Sequence, residues 1–197
     1  EDINARGWEQ IDFLFISGDA YVDHPSFGPA VICRVLEAQG YKVALLCQPD
    51  WCKLKNFEVL GKPRLAVLIS GGNLDSMLCH YTAAKKPRKK DAYTPGGEMG
   101  KRPDHATVVY SQQIKRLWPE MPVIIGGIEA SLRRFAHFDY WENKILPSIL
   151  VESNADLLIY GMGEKQIVEI ADYLAGGAII EDIHYVRGTA YLADDLQ

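Results

Sequence analysis

Glycine follows four separate apolar runs of this 197-residue sequence, and these turns are the positions most suited to binding a ligand. The glycines are Gly18, Gly71, Gly72, Gly126, Gly127, Gly161 and Gly163. In an open parallel sheet a ligand binds outside the carboxyl ends of the strands, where glycine lets the backbone approach it closely or adopt a positive φ. Tight turns between strands and helices also need glycine, which explains any one of them structurally. Four such turns together favour a ligand-binding edge.

Charged side chains lie in or beside the same turns and could contact a bound ligand. The candidates are Asp19, His24, Asp75, Glu129, Arg133, Arg134 and Glu164. Paired arginines could donate bidentate hydrogen bonds to a carboxylate or a phosphate. Acids at the start of a helix also cap its N–H groups and interact favourably with its dipole, so capping explains each acid taken alone. For the arginines, a role on the surface remains the alternative.

Familiar nucleotide-binding and catalytic motifs do not occur in the sequence. The segment Gly96–Lys101 resembles a phosphate-binding P-loop, but Arg102 stands where Ser or Thr is required and no strand precedes it. Gly161-Met162-Gly163 begins like a dinucleotide fingerprint, but Gln166 occupies the position of the third glycine. The cysteines lack the spacing of a zinc site, and no nucleophile triad or pair of carboxylates is evident. The residues alone therefore predict no catalytic group and no metal ligand.

Five short runs are apolar on both faces, which is typical of strands covered by helices on both sides of a parallel sheet. They are Phe13–Ile16, Val43–Leu46, Leu65–Ile69, Val123–Ile125 and Leu157–Tyr160. Helical apolar periods lie between them, at residues 31–36, 110–117 and 167–174. The alternation predicts a doubly wound α/β fold with a mainly parallel five-stranded sheet in the flavodoxin-like order 2-1-3-4-5.

The length predicts a single domain over residues 1–197, with three segments that depart from the minimal pattern. Residues 73–103 are too long for an ordinary connection and form an insertion after the third strand. Residues 129–154 are predicted to hold short helices, and we interpret their aromatic cluster (Phe135, Phe138, Tyr140 and Trp141) as packing rather than as a stacking platform. Residues 178–197 form a C-terminal extension, with extended stretches at Ile183–Val186 and Thr189–Leu192.

Charge and hydropathy exclude several classes of protein. A net charge of −5 argues against a chain that coats nucleic acid with its whole surface. The insertion is nevertheless basic, with Lys85, Lys86, Arg88, Lys89, Lys90, Lys101 and Arg102. This run is either a solvated loop or a docking surface for an acidic or nucleic-acid partner. No apolar run approaches the ~20 residues of a membrane helix, and no signal peptide is evident, so we expect a cytoplasmic protein with reduced cysteines.

Long strings of residues resemble one known family, the N-terminal domain of YgiQ-type radical SAM proteins, over nearly the whole chain. The strings are Gly18–Gly28, Gln48–Trp51, Asn73–Met77, Ile125–Arg134, Ala155–Glu164 and Arg187–Thr189. The resemblance implies a longer protein in which a radical SAM barrel follows this domain and holds a [4Fe-4S] cluster on a Cys-x-x-x-Cys-x-x-Cys motif. That motif is absent from the 197 residues. The cluster and S-adenosylmethionine (SAM) are therefore expected to bind elsewhere in the full-length protein.

The glycine turns are also similar to those of cobalamin-binding modules in related radical SAM enzymes, which carry an Asp-x-His-x-x-Gly motif that binds cobalt. In this sequence Asp23 and His24 are adjacent, and Gly28 follows at a different distance. The resemblance thus implies that cobalamin could bind here only without a protein ligand to cobalt. The leading hypothesis is an accessory domain whose glycine edge faces the catalytic barrel or its unknown substrate. A cobalamin- or nucleotide-binding module and an interaction platform are the alternatives.

Overall fold

The computed structural model describes residues 2–193, and its regular elements alternate along the chain. The strands are β1 (Phe13–Ser17), β2 (Val43–Cys47), β3 (Ala66–Ser70), β4 (Val123–Gly126), β5 (His137–Asp139), β6 (Lys144–Leu146), β7 (Leu157–Ile159) and β8 (Thr189–Ala190). The helices are α1 (Asp2–Ala5), α2 (Gly28–Ala38), α3 (Ser76–His80), α4 (Ala106–Leu117), α5 (Gly127–Leu132), α6 (Ile149–Ser153) and α7 (Glu164–Ala175). Within the described range, no helix is long and apolar enough to cross a membrane.

The main sheet has the order β2-β1-β3-β4-β7-β8. Its first five strands are parallel and follow the predicted order 2-1-3-4-5, so the predicted fold class is confirmed. The sixth strand, β8, lies in the extended stretch predicted at Thr189–Leu192, but its place in the main sheet was not predicted, and it pairs antiparallel to β7. A separate antiparallel hairpin is formed by β5 and β6.

Two apolar layers cover the sheet because alternate side chains of each buried strand point to opposite faces. Leu14 and Ile16 of β1 pack with Tyr110 and Ile114 of α4 in one layer. Phe13 and Phe15 pack in the other layer, with residues of α2 and α7. The parallel strands are therefore apolar on both faces over most of their length, as the sequence pattern predicts.

The insertion carries regular structure, and it is more firmly attached than a solvated loop would be. It contains α3, an isolated β-bridge between Tyr81 and Pro87, and a short 3-10 helix at Pro95–Gly97. Its lysines are exposed, as expected of a charge run, but Arg102 is only 1% exposed. The inclusion of Arg102 in a solvated basic run is therefore wrong, because this side chain is buried among carboxylates described below.

The segment 129–154 holds short helices as predicted, but it differs from the prediction in other respects. It contains α5 and α6, but the hairpin β5–β6 lies between them. The interpretation of the aromatic cluster as packing is wrong for Phe135 and Phe138, which are 67% and 62% exposed, whereas the rings of Tyr140 and Trp141 pack against each other. Farther along the chain, Thr189–Ala190 is a strand as expected, whereas residues 183–186 form no strand, and Ile183 and Val186 are instead buried beside α7.

Candidate functional site

The parallel strands end in register at one edge of the sheet. Ser17 of β1 pairs with Ser70 of β3, and Ser70 pairs with Gly126 of β4. Because these strands are parallel, the residues that follow them emerge side by side. Gly18, Gly71 and Gly127 therefore form neighbouring turns at one rim of the sheet.

A buried ion-pair cluster lies beneath this rim and joins the insertion to β1. The guanidinium of Arg102 contacts Asp19 Oδ1 through Nη1 at 2.8 Å and Asp91 Oδ2 through Nε at 2.8 Å. The same Nη1 donates a hydrogen bond to the Gly71 carbonyl at 3.0 Å. The Asn73 N–H donates to Asp19 Oδ2 at 2.7 Å, so one oxygen of this carboxylate accepts a hydrogen bond and the other is held by the ion pair with Arg102.

Burial and charge act in opposite directions on this cluster. Burial raises the pKa of Asp19 above its ordinary value, and the Asn73 N–H and Arg102 offset this only in part. Burial alone would lower the pKa of Arg102, but Asp19 and Asp91 outweigh it and keep this pKa above its ordinary value. Arg102 therefore stays charged and supports the turns from below.

A second buried carboxylate, that of Glu129, connects two helices to the rim. Glu129 is 1% exposed and accepts hydrogen bonds from the Ser76 N–H at 2.8 Å and from the Thr107 N–H at 2.9 Å. These N–H groups belong to the first turns of α3 and α4, which lack intrahelical acceptors. Its side chain thus acts as a helix cap, which is the alternative that the sequence left open for the acids.

Arg133 and Asp75 form another buried ion pair through Nη1 and Oδ2. Asp75 also caps α3, because its Oδ1 accepts a hydrogen bond from the Met77 N–H at 2.9 Å. Arg134 takes a different position, with its guanidinium 4.9 Å from the ring centre of Phe135 and 5.1 Å from that of Tyr160. The two adjacent arginines therefore do not converge on one ligand.

Two of the rim glycines combine a positive φ with a lack of room for a side chain. Gly72 has a φ of +118°, and a Cβ there would lie 2.1 Å from Asp19 Oδ1. Gly127 has a φ of +82°, and its Cβ would lie 2.6 Å from Ser70 Oγ. Both the backbone conformation and the close approach require glycine at these positions.

An apolar cleft of about 250 Å³ opens at the rim between the first turns of α2 and α7. Its floor is formed by the ends of β1, β3, β4 and β7, with Phe15, Leu68, Ile124 and Ile159. Val31 and Ile32 of α2 face Ile167 and Glu164 of α7 across it, and the following residues complete the wall: Pro25, Ser26, Gly28, Gly126, Gly127, Gly161, Met162 and Gly163.

The N-termini of α2 and α7 both meet the cleft without a side-chain cap from the described residues. First-turn N–H groups that lack a cap, together with the helix dipole, favour an anionic or strongly polar ligand group. The cleft therefore combines an apolar floor with polar backbone groups at its mouth. That combination suits a flat organic ring with a polar or phosphate substituent.

The predicted ligand contacts divide into two sets. Gly126, Gly127, Gly161, Gly163 and Glu164 line the cleft. The remaining candidates lie outside its lining: Gly18, Asp19, His24, Gly71, Gly72, Asp75, Glu129, Arg133 and Arg134. The glycines among them form part of the rim, and most of the charged side chains are buried beside it, whereas His24 is exposed, and its Nδ1 accepts a hydrogen bond from the Ser26 N–H at 3.1 Å. Which of the fourteen residues touch a ligand stays a prediction.

The described part of the chain offers no metal centre. It contains no group of three His, Cys, Asp or Glu side chains placed to hold an ion. All four cysteines are free thiols. Burial raises the pKa of Cys33 and Cys79 to about 12 and that of Cys47 to about 11, so these thiols stay protonated at neutral pH in the metal-free domain.

Sequence reasoning missed Arg102 and Asp91 as parts of the rim, and it missed the apolar lining of the cleft. Arg102 lies among exposed lysines in the sequence, and nothing local distinguishes it from them. The cleft residues Val31, Ile32 and Ile167 belong to apolar stripes that look like ordinary core. A usable signal was present only in the glycines that follow the strands.

Comparison with known proteins agrees with this architecture. The family model described as Radical SAM N-terminal matches residues 1–197. This chain belongs to that family. A UPF0313 protein of Clostridium perfringens strain 13 is 59% identical over 196 residues, and one of Clostridium botulinum strain Okra is 54% identical over 196 residues. The chain spans 30% of the length of each of these relatives, so it corresponds to the N-terminal domain of a larger radical SAM-family protein.

Among solved structures, this radical SAM N-terminal domain is similar to part of TsrM, a radical SAM methyltransferase from Kitasatospora setae. The structure of TsrM with cobalamin and a [4Fe-4S] cluster bound has a TM-score of 0.60 and 21% sequence identity. The match covers 94% of this chain and 29% of that chain. A TsrM structure with tryptophan and a SAM analogue bound gives a TM-score of 0.60 at 20% identity. At this level of identity the likeness shows a shared fold.

Proposed function

We propose that residues 1–197 form the N-terminal accessory domain of a cytoplasmic radical SAM iron–sulfur enzyme, with residues 73–103 as an insertion and 178–197 leading towards a catalytic barrel. The observation that carries this proposal is the construction of the rim. On one side of the rim an apolar cleft lies between two helix N-termini that no described side chain caps. On the other side, buried ion pairs hold the turns in place. A fixed rim of this kind can present a ligand or a surface to a neighbouring domain.

The chemistry of a radical SAM enzyme would belong to the part of the protein outside this domain. The three perturbed thiols stay protonated, and the sequence lacks the cluster-binding spacing of cysteines. This domain would therefore bind and orient a ligand and exclude water from it, while the cluster and SAM are held elsewhere. Its free thiols agree with a reducing cytoplasm.

The test uses the full-length protein prepared without oxygen. We expect iron and sulfide in the ratio of a [4Fe-4S] cluster, and reductive cleavage of SAM to 5′-deoxyadenosine. A full-length protein that holds no cluster after reconstitution with iron and sulfide would overturn the proposal.

A second candidate function is cobalamin or nucleotide binding in the cleft, and the apolar floor between two uncapped helix N-termini favours it. The glycines of the rim let a flat heteroaromatic group approach the backbone of β4 and β7. No histidine of residues 2–193 lines the cleft, so the residues fit the nucleotide part of cobalamin but supply no imidazole to its cobalt. When bound, cobalamin would supply a cobalt centre able to carry a methyl group.

This second function is tested by binding. Hydroxocobalamin and, separately, AMP are mixed with the full-length protein, and co-elution and the visible spectrum of the corrin are recorded. Replacement of Val31 with Trp fills the cleft and should abolish binding of whichever ligand is retained, whereas Ala38→Trp on the exposed end of α2 should not. Failure of both ligands to bind, or equal binding to the two variants, would exclude the cleft as their site.

A further inference from the structure

The β5–β6 hairpin has an apolar outer face that no residue between 2 and 193 covers. Phe138 and Ile145 are directly opposite each other in the antiparallel register, so their side chains lie on the same face. They are 62% and 77% exposed. Asp139 and Leu146 point to the other face and are 2% and 7% exposed. One face of the hairpin is therefore packed against the domain, and the other is exposed to solvent.

The exposed surface continues from the hairpin to the rim of the sheet. Phe135 precedes β5, and the guanidinium of Arg134 lies between its ring and that of Tyr160. The Gly161 N–H donates a hydrogen bond to Ser131 Oγ at 3.2 Å, which holds α5 against the turn after β7. We name this surface the hairpin face and define it by the following residues: Leu132, Arg134, Phe135, Phe138, Ile145, Tyr160 and Met162.

Several side chains of the hairpin face are of the types that protein interfaces favour. Aromatic residues, methionine and arginine are enriched where proteins meet, whereas lysine and glutamate are depleted. The apolar side chains of Met162 and Leu132 are 80% and 62% exposed to solvent. Contiguous apolar surface of this kind usually marks a binding site.

We propose that the hairpin face docks on the catalytic domain of the same full-length chain. Because the chain spans 30% of the length of its curated relatives, most of each relative lies outside this domain and is available to cover the face. The face is continuous with the cleft through Met162, so docking there brings the catalytic domain to the mouth of the cleft. The inference rests on the proposed function only in requiring that a catalytic domain follows.

Photo-crosslinking in the full-length protein tests the occupant of this face. Benzoylphenylalanine replaces Phe138, and in a matched control it replaces Val59, which is also 62% exposed but lies in the segment leading to β3. We expect crosslinks from position 138 to peptides beyond residue 197 in a product of monomer mass, and none to those peptides from position 59. A product of dimer mass would show a second copy as the occupant, and that product or the absence of crosslinks to downstream peptides would overturn the proposal.

A second measurement separates this inference from the proposed function. The double variant Phe138→Asp and Ile145→Asp, which adds no trypsin site, should release the N-terminal domain under limited trypsin digestion at least several-fold faster than Val59→Asp does. Iron content and 5′-deoxyadenosine formation are recorded on the unsubstituted protein. If these are present while the double variant and the control are cleaved at equal rates, docking through the hairpin face is wrong and the proposed function stands. If iron and SAM cleavage are lacking, the proposed function itself fails.

Discussion

At the scale of single residues, Arg102 decides whether the insertion stays attached to the sheet. Replacement with Ala leaves the buried carboxylates of Asp19 and Asp91 without their counter-charge, since both contact this guanidinium. Breaking a buried ion pair in this way typically costs about 3–5 kcal/mol of the free energy of unfolding. Urea denaturation of Arg102→Ala should show a loss of that size. Lys101→Ala, which removes an exposed partner of Glu98, should leave stability almost unchanged, and equal stability of the two variants would contradict the role assigned to Arg102.

Glu129 offers a second test at this scale, because one carboxylate serves two helices. In Glu129→Ala the N–H groups of Ser76 and Thr107 lose their acceptor while they remain buried. Each unsatisfied group is expected to cost about 1–3 kcal/mol. Glu129→Gln keeps one acceptor oxygen, so its loss of stability should be smaller. Thermal unfolding of both variants, with the exposed Glu169→Ala as the control, checks this order; a Glu129→Ala protein as stable as the control would refute it.

At the scale of elements, the sequence predicted what depends on local pattern and missed what depends on distant contacts. The parallel strands were predictable because burial on both faces leaves continuous apolar runs such as Leu65–Ile69. Strand β8 has two residues, and its pairing with β7 is set by tertiary contacts such as the hydrogen bond from the Tyr160 N–H to the Gly188 carbonyl. The hairpin strands have three residues each, too few for a periodic signal.

The candidate site, too, could be predicted from the sequence only in part. The position of the rim could be predicted from the glycines that follow the strands. The direction of the side chains of Asp19 and Glu129 could not, because their partners Arg102 and Thr107 come from remote parts of the sequence. These acids thus turn inward, although their positions in the sequence are equally suited to contacting a ligand.

The turn after β4 provides a matched pair of glycines for a test at this scale. Gly127→Ala places a side chain at a φ of +82° and within 2.6 Å of Ser70 Oγ, whereas a Cβ at Gly126 would meet only the Ile159 carbonyl oxygen at 3.4 Å. The left-handed conformation alone costs roughly 1–2 kcal/mol for a non-glycine residue. Gly127→Ala should therefore lower the midpoint of chemical denaturation well below that of Gly126→Ala. Equal midpoints would mean that the turn readjusts freely.

At the scale of the whole molecule, the location of the cluster can be tested through the cysteines of this domain. Cys47 is half-buried and Cys52 is exposed, so both can be changed to Ala with little disturbance of the core. We expect the full-length protein with both substitutions to bind as much iron and sulfide as the unsubstituted protein. Substantial loss of iron would mean that this domain supplies a cluster ligand, contrary to the raised pKa of the Cys47 thiol.

The two sides of the sheet differ in the polar contacts that hold their helices, although apolar clusters of similar size pack on both. On the α4 side, buried ion pairs and capping carboxylates fix the helices by directional bonds. On the other side, no described side chain caps the first turn of α2 or α7, and helix ends without a cap open at a lower cost in free energy. Local opening should therefore begin at the first turns of α2 and α7, the two helices between which a guest molecule would have to enter, while the opposite half keeps its shape.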